Sequence, residues 1–192
     1  MAAGFKYDLK PMEVTREMCR VDTIQRLSGG VNFEDSDVPV GTLLMPLTPL
    51  AVDLKTRKAK AVKNVRVVEK VTSGTKVKVS KYSLAFVGMF LSDGTTTVKV
   101  NAIDKSTADY DTLTVSAAIT PEAGDVLFEA AASDGKTPKY AANMLNYATT
   151  KVEAGATVTP IIRAFEVCES KLYAPIAEVD KATLTDRFFF IP

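Results

Sequence analysis

The chain has 192 residues, of which 46% are apolar, and it contains no histidine. Histidine is the usual proton carrier near neutral pH and the commonest metal ligand, so its absence excludes most hydrolase, nuclease and zinc chemistry. The net charge is only +1, and two cysteines cannot build a disulfide framework. We therefore expect a structural or adhesive protein, not an enzyme, with a hydrophobic core and without a metal or cofactor.

The pattern of the first residues is not that expected of a targeting signal. Residues 1–20 lack the continuous apolar segment of a signal peptide, and no later stretch reaches the roughly 18 apolar residues of a membrane span. The sequence predicts a protein that is made in a cytosol and has no membrane partner.

The first 38 residues differ in pattern from the rest of the chain. Apolar residues recur there at loosely helical intervals until Gly29-Gly30, and residues 32–39 are acidic and rich in turn formers. This pattern predicts an N-terminal arm, residues 1–38, with a short amphipathic helix and a linker. The apolar residues either contact a partner or pack on their own domain. They are Met12, Val14, Met18, Val21, Ile24 and Leu27.

Residues 39–192 are typical of β-structure. Strands are predicted at 65–71 and 76–81, joined as a hairpin, because valine alternates with lysine in the second of them. A second hairpin is predicted from strands at 84–91 and 95–103. They flank Asp93-Gly94, a dipeptide suited to a type I′ turn.

The rest of the domain continues this pattern. Strands are predicted at 112–119 and 125–130, and one or two more over 156–169, where Pro160 favours an edge or bulge. A short helix is predicted within 139–149, from its Ala, Met and Leu content, and a closing strand at 187–191. The predicted fold class is all-β, mainly an antiparallel barrel or sandwich, with an N-terminal arm.

No motif in the sequence supports catalysis or metal binding. The closest carboxylate pairs are Asp35 with Asp37 and Asp109 with Asp111, and neither continues into a calcium-binding loop. Since aspartate is seldom buried, both pairs are interpreted as solvated turn residues. No glycine-rich phosphate loop is present either.

Positive charge is concentrated between residues 55 and 81. This block, which includes Lys63, suits an acidic partner, nucleic acid or a solvated strand face. Nucleic acid is disfavoured because no aromatic residue, on which bases would stack, lies within the block. The residues assigned to the basic face are Lys55, Arg57, Lys58, Lys60, Lys76 and Lys78.

Two stretches resemble phage head fibre and capsid decoration proteins. They are GTLLMPLTPLAVDLKTRKAKAV, residues 41–62, and TPEAGDVLFEA, residues 120–130. An Asn-Met-Leu segment at 143–145 and a late strand near 161–167 extend the resemblance over most of residues 41–191. The motifs consist of turn and strand residues and include no catalytic group.

The resemblance implies a structural virion protein on the surface of a tailed-phage capsid. Its expected partner is the major capsid protein, and it is expected to form a homo-oligomer such as a trimer. The arm or the basic face would contact the capsid. The alternative is a glycan-binding, adhesive module in which exposed tyrosines stack on sugars; the candidates are Tyr82, Tyr110, Tyr140, Tyr147 and Tyr173.

Overall fold

The computed structural model describes residues 17–192, which form an almost entirely β-structure. One short helix, α1 (Glu178–Leu184), precedes the last strand. In chain order the strands are β1 (Gln25–Arg26), β2 (Val31–Phe33), β3 (Leu43–Leu44), β4 (Pro49–Asp53), β5 (Lys58–Ala61), β6 (Asn64–Arg66), β7 (Gly74–Ser80), β8 (Phe90–Ser92), β9 (Thr97–Asp104), β10 (Tyr110–Ile119), β11 (Val126–Glu129), β12 (Met144–Asn146), β13 (Thr150–Lys151), β14 (Thr157–Val158), β15 (Pro160–Cys168) and β16 (Phe188–Ile191).

The larger sheet is built from both ends of the described chain. Its strand order is β1-β15-β12-β4-β5-β2-β14, and β16 pairs with β15 as the eighth strand. Most pairs are antiparallel, but β2 pairs with β5, and β15 with β16, in parallel. A small ladder of β3 and β13 lies apart from this path.

The smaller sheet is a single insertion into the larger one. Its six strands, in the order β6-β11-β8-β9-β10-β7, all come from residues 64–129, between β5 and β12. One bridge between Val67 and Val79 connects its two ends. Because this connection is a single bridge, the described strands form no closed barrel.

Each sheet has its own core. In β7 the buried Val77 and Val79 alternate with outward-facing Lys76 and Lys78, which is the period of a half-buried strand. The core of the smaller sheet consists of such inward-facing residues. The core of the larger sheet is formed by two further clusters of buried hydrophobic residues. A fourth cluster, around Phe128 and Ala177, joins β11 to the start of α1.

The all-β fold predicted from the sequence is confirmed, and so is the hairpin at Asp93-Gly94. In that hairpin β8 and β9 meet at Ser92 and Thr97, with a four-residue loop between them. The loop is not a type I′ turn, since only Gly94 of the dipeptide has a positive φ, 91°. The Asp93 carboxylate instead accepts hydrogen bonds from the backbone of Thr95 and Thr96.

Other predictions need correction. The expected hairpin of 65–71 with 76–81 is reduced to one antiparallel bridge, between Val67 and Val79. The main partner of β6 is β11, and that of β7 is β10. The helix predicted within 139–149 is also wrong, since β12 occupies that region between β4 and β15. In residues 17–27, the described part of the predicted amphipathic helix, the structure has a 3-10 turn, Val21–Thr23, followed by β1.

The acidic segment expected to be a linker, residues 32–39, begins within a strand of the larger sheet. β2 pairs with both β5 and β14, and Val38 is buried. Residues 17–38 of the predicted arm therefore contribute strands and core residues to the body of the protein.

Candidate functional site

A completely buried lysine lies where the chain passes from the larger sheet to the smaller one. Lys63 is in the short link between β5 and β6, and its side chain is 0% exposed. Lysine is almost never fully buried unless it is paired, because taking its charge out of water is costly.

The lysine is held by carboxylates from two distant parts of the chain. Its Nζ lies 2.8 Å from Oδ2 of Asp35, which follows β2, and 3.4 Å from Oε2 of Glu129, at the end of β11. Both carboxylates are also buried. Asp35 further accepts hydrogen bonds from the backbone N–H groups of Ala61, at 3.2 Å, and Asp37, at 3.1 Å.

A second lysine completes the arrangement on its solvent side. Lys139 Nζ lies 2.7 Å from Asp37 and 2.9 Å from Glu129. Burial lowers the pKa of Lys139, but the hydrogen bonds to Asp37 and Glu129 outweigh it and raise that pKa overall; the bond from Lys139 likewise lowers the pKa of Asp37. We call Asp35, Asp37, Lys63, Glu129 and Lys139 the junction cluster.

Aromatic rings line the cluster. The centroids of Phe86 and Tyr140 lie 5.7 Å and 5.6 Å from Lys63 Nζ. The same two rings lie within 6 Å of Lys139 Nζ. The rings favour the cationic amine electrostatically, and they replace water around it.

The sequence interpretation missed this cluster. Asp35 was predicted to be a solvated turn residue, and Lys63 was grouped with the surface lysines, yet both are buried. The alternation of strand residues could have identified both. Asp35 is separated by two and four residues from Phe33 and Val31, which point inward, and Lys63 by four residues from the inward-facing Ala59. The same error applies to Asp111, which is 3% exposed and pairs with Lys81 at 2.6 Å.

A second buried polar contact connects the smaller sheet to α1. Asn64 Nδ2 donates to Oδ2 of Asp180 at 2.6 Å and to the carbonyl of Pro175 at 3.0 Å. Burial raises the pKa of Asp180, although the hydrogen bonds from Asn64 and from the Ala177 backbone oppose that rise. The other oxygen of Asp180 and the side-chain oxygen of Asn64 have no hydrogen-bond partner among the described residues.

Asp180→Asn is therefore expected to stabilise the protein at neutral pH, by about 1 kcal/mol, because it removes a buried charge. The raised pKa means that folding favours the protonated acid, so the wild type loses stability as pH rises from the unfolded pKa through the folded one. The stability advantage of the variant should shrink as pH falls toward 3.8, the ordinary pKa of an aspartate side chain. Denaturant unfolding at several pH values measures the difference in free energy of unfolding between the variant and the wild type. A difference that grows in acid would contradict the raised pKa of Asp180.

The apolar residues assigned to the arm lie in different places. Met18, Val21 and Ile24 line a groove of about 310 Å³ together with Pro46, Leu47 and Tyr147. We call this the N-terminal groove. Val21 is 65% exposed, whereas Met18 and Ile24 pack partly against the core of the larger sheet. Leu27 packs against a different core cluster, and Met12 and Val14 lie outside the described residues.

The basic residues lie on two different sheets. Lys55, Arg57, Lys58 and Lys60 belong to the β4–β5 hairpin, whereas Lys76 and Lys78 lie on β7. Several have partners: Lys58 pairs with Glu34, Lys60 donates to the Tyr140 hydroxyl, and Lys78 pairs with Glu69. Arg57 donates to the Ser28 carbonyl, while Lys55 and Lys76 are exposed.

Over residues 17–192, no group of three or more potential ligands from His, Cys, Asp and Glu is arranged to hold a metal ion. Within the same part of the chain, no helix has the length and hydropathy to cross a bilayer.

Comparison with known proteins gives one result that bears on function. A family model described as head fiber protein matches residues 1–192, the whole chain. The chain belongs to the phage head fibre family. It is thus a structural phage protein and a virion component associated with the head, as the sequence resemblance predicted. No curated protein and no solved structure gives a significant match to this head fibre protein.

Proposed function

We propose that this head fibre protein is bound to the outside of the capsid through the major capsid protein, as a homo-oligomer. The observation that carries the proposal is the family match over the full length of the chain. A protein of this kind needs a stable body and an adhesive surface, and a capsid lattice offers many equivalent binding positions.

The N-terminal groove is the surface we assign to this contact. It combines an exposed apolar residue, Val21, with the partly exposed ring of Tyr147, 37% exposed. The Arg26 guanidinium lies 4.7 Å from the centroid of that ring. An apolar groove with an aromatic and an arginine has the composition typical of protein interfaces. The occupant we infer is an apolar segment of the major capsid protein.

The test is attachment of the purified protein to phage heads that lack it. Val21→Asp places a charge inside the contact and is expected to weaken binding about tenfold or more in Kd. Val40→Asp is the matched control, because Val40 is 77% exposed and lies outside the groove. Sedimentation of heads with labelled protein measures both variants. Equal binding of the two would exclude the N-terminal groove, and no binding of the wild type would exclude capsid attachment.

The predicted basic face is the other surface that the sequence assigned to the capsid. Its exposed members lie on both sheets: Lys76 is on the smaller sheet, and the others are on the β4–β5 hairpin of the larger one, so a contact through all of them would span both parts of the molecule. In the same sedimentation assay, a binding constant that falls steeply with salt would favour this surface over the apolar groove.

The glycan-binding alternative depends on exposed tyrosines. Tyr82 is 58% exposed and borders a groove of about 330 Å³ with Ser83, Lys105 and Asp111. A tyrosine beside polar groups suits a sugar ring, and a glycan array is the measurement that tests this alternative.

A further inference from the structure

The junction cluster brings together the groups required for an amide bond between two side chains. We propose that Lys63 and Asp35 form an intramolecular isopeptide bond and that Glu129 is the catalytic residue for its formation. This inference concerns the body of the protein and does not depend on how the protein binds the head.

The first support is geometric. The attacking atom, Lys63 Nζ, lies 2.8 Å from Oδ2 of Asp35, so it is in contact with the carboxyl group whose carbon it would attack. Nζ also donates a longer hydrogen bond, 3.4 Å, to Oε2 of Glu129, which would have to shorten for a proton to pass along it. The two nearest carboxylates give one group to be attacked and one to carry protons, whereas Asp37 is more distant from Nζ, at 4.0 Å.

The second support is burial. The side chains of Lys63, Asp35 and Glu129 are 0%, 2% and 4% exposed. Water, which would stabilise the charged forms and favour hydrolysis, is therefore largely excluded. The rings of Phe86 and Tyr140 lie close to the amine and contribute to this exclusion.

The third support is electrostatic. Desolvating an ammonium and a carboxylate is costly, and attraction between the two repays this cost only in part. Transfer of one proton within the pair would replace two buried charges by a neutral amine and a neutral carboxylic acid, and the exclusion of water lowers the cost of that transfer against the preference of the two rings for the cation. The neutral amine is the nucleophilic form of lysine. The amide product carries no charge, so the reaction removes a buried ion pair.

The proposed reaction is a dehydration that needs no further reactant. Lys63 first transfers a proton to Asp35, and the free amine then attacks Cγ of the acid to form the new C–N bond. Glu129 accepts a proton from Nζ and delivers it to the departing hydroxyl group, so that the C–O bond breaks and one water molecule leaves. Glu129 ends as the carboxylate with which it began.

The bond would connect segments that the sheet already aligns. β2 and β5 pair in parallel, with Phe33 opposite Ala59, and the two reacting residues lie just beyond the ends of these strands. A covalent link there would prevent β2 from separating from β5. It would also fix the point at which the chain enters the smaller sheet.

Mass spectrometry of the intact, folded protein tests the proposal. We expect a mass below the sequence value by one water molecule, and a tryptic peptide that joins the Asp35 segment to an uncleaved Lys63. Asp35→Asn should form the same product by losing ammonia in place of water, so its final mass should equal that of the wild type. A wild-type protein with the full sequence mass and unlinked peptides would overturn the proposal, whether or not any variant folds.

Two controls test the part assigned to Glu129. Glu129→Gln, confirmed as folded by circular dichroism, should remain unlinked, and linkage at the wild-type rate would contradict catalysis by this residue. The pair Lys81 and Asp111 is the internal control, because its atoms lie 2.6 Å apart but Lys81 is 25% exposed. Among the described ion pairs, Lys81 has no second carboxylate. A link there would show that proximity alone suffices, against the proposal for Glu129.

Discussion

Replacing Lys63 by methionine is expected to destabilise the protein by about 3 to 5 kcal/mol, because it leaves buried carboxylates without their cation. Asp35 loses its ion pair completely, whereas Glu129 keeps Lys139 at 2.9 Å. For a chain of this size, the loss corresponds to a fall in Tm of roughly 6 to 20 °C. Thermal unfolding of the purified variant measures it, and a covalent bond in the wild type would make the loss larger.

Two further variants separate the buried charge from the loss of the side chain itself. Lys63→Met combined with Asp35→Asn should recover part of the stability, since the amide oxygen can still accept the hydrogen bond from Ala61 and no unpaired charge remains. Lys151→Met removes the cation of an ion pair in which both side chains are more than half exposed, and it should cost at most about 1 kcal/mol. Equal effects of Lys63→Met and Lys151→Met would contradict the importance of the junction cluster.

Local sequence patterns predicted strands and the β8–β9 hairpin, but not the pairing of strands that are distant in the sequence. The Lys-Val alternation of residues 76–79 identifies β7, because side-chain period is a property of neighbouring residues. The partner of β6 is β11, about sixty residues later, and no local pattern specifies that choice. The helix predicted at β12 has the same cause. Pairing with β4 and β15 on both sides outweighs the high helix propensity of Met144 and Leu145.

The candidate site shows the same limit. Strand period places Asp35 and Lys63 on inward faces, but their partnership across the sheet depends on the parallel pairing of β2 with β5. Residue type alone predicts that both side chains lie on the surface, because charged residues are seldom buried. The helical pattern also could not predict that Val21 is exposed, because the structure has a 3-10 turn at this position and not the expected helix.

Phe128→Ala is expected to cost about 3 to 5 kcal/mol, the range for removing a buried aromatic side chain. Phe128 is 3% exposed and packs with Ala177 and Val179, where the smaller sheet meets α1. Phe189→Ala is the matched control: Phe189 is 57% exposed on β16, so its removal should change stability by no more than about 0.5 kcal/mol.

Hydrogen exchange shows which elements are destabilised by Phe128→Ala. If Phe128 holds α1 against the smaller sheet, the backbone amides of α1 should lose protection more than those of β9 and β10. The latter pair with each other within the smaller sheet, and their buried core residues belong to a cluster that includes no residue of α1. Equal loss in all three elements would mean that α1 and the smaller sheet unfold as one unit, against a local role of Phe128. Loss confined to β9 and β10 would contradict the assignment of Phe128 to the contact between the smaller sheet and α1.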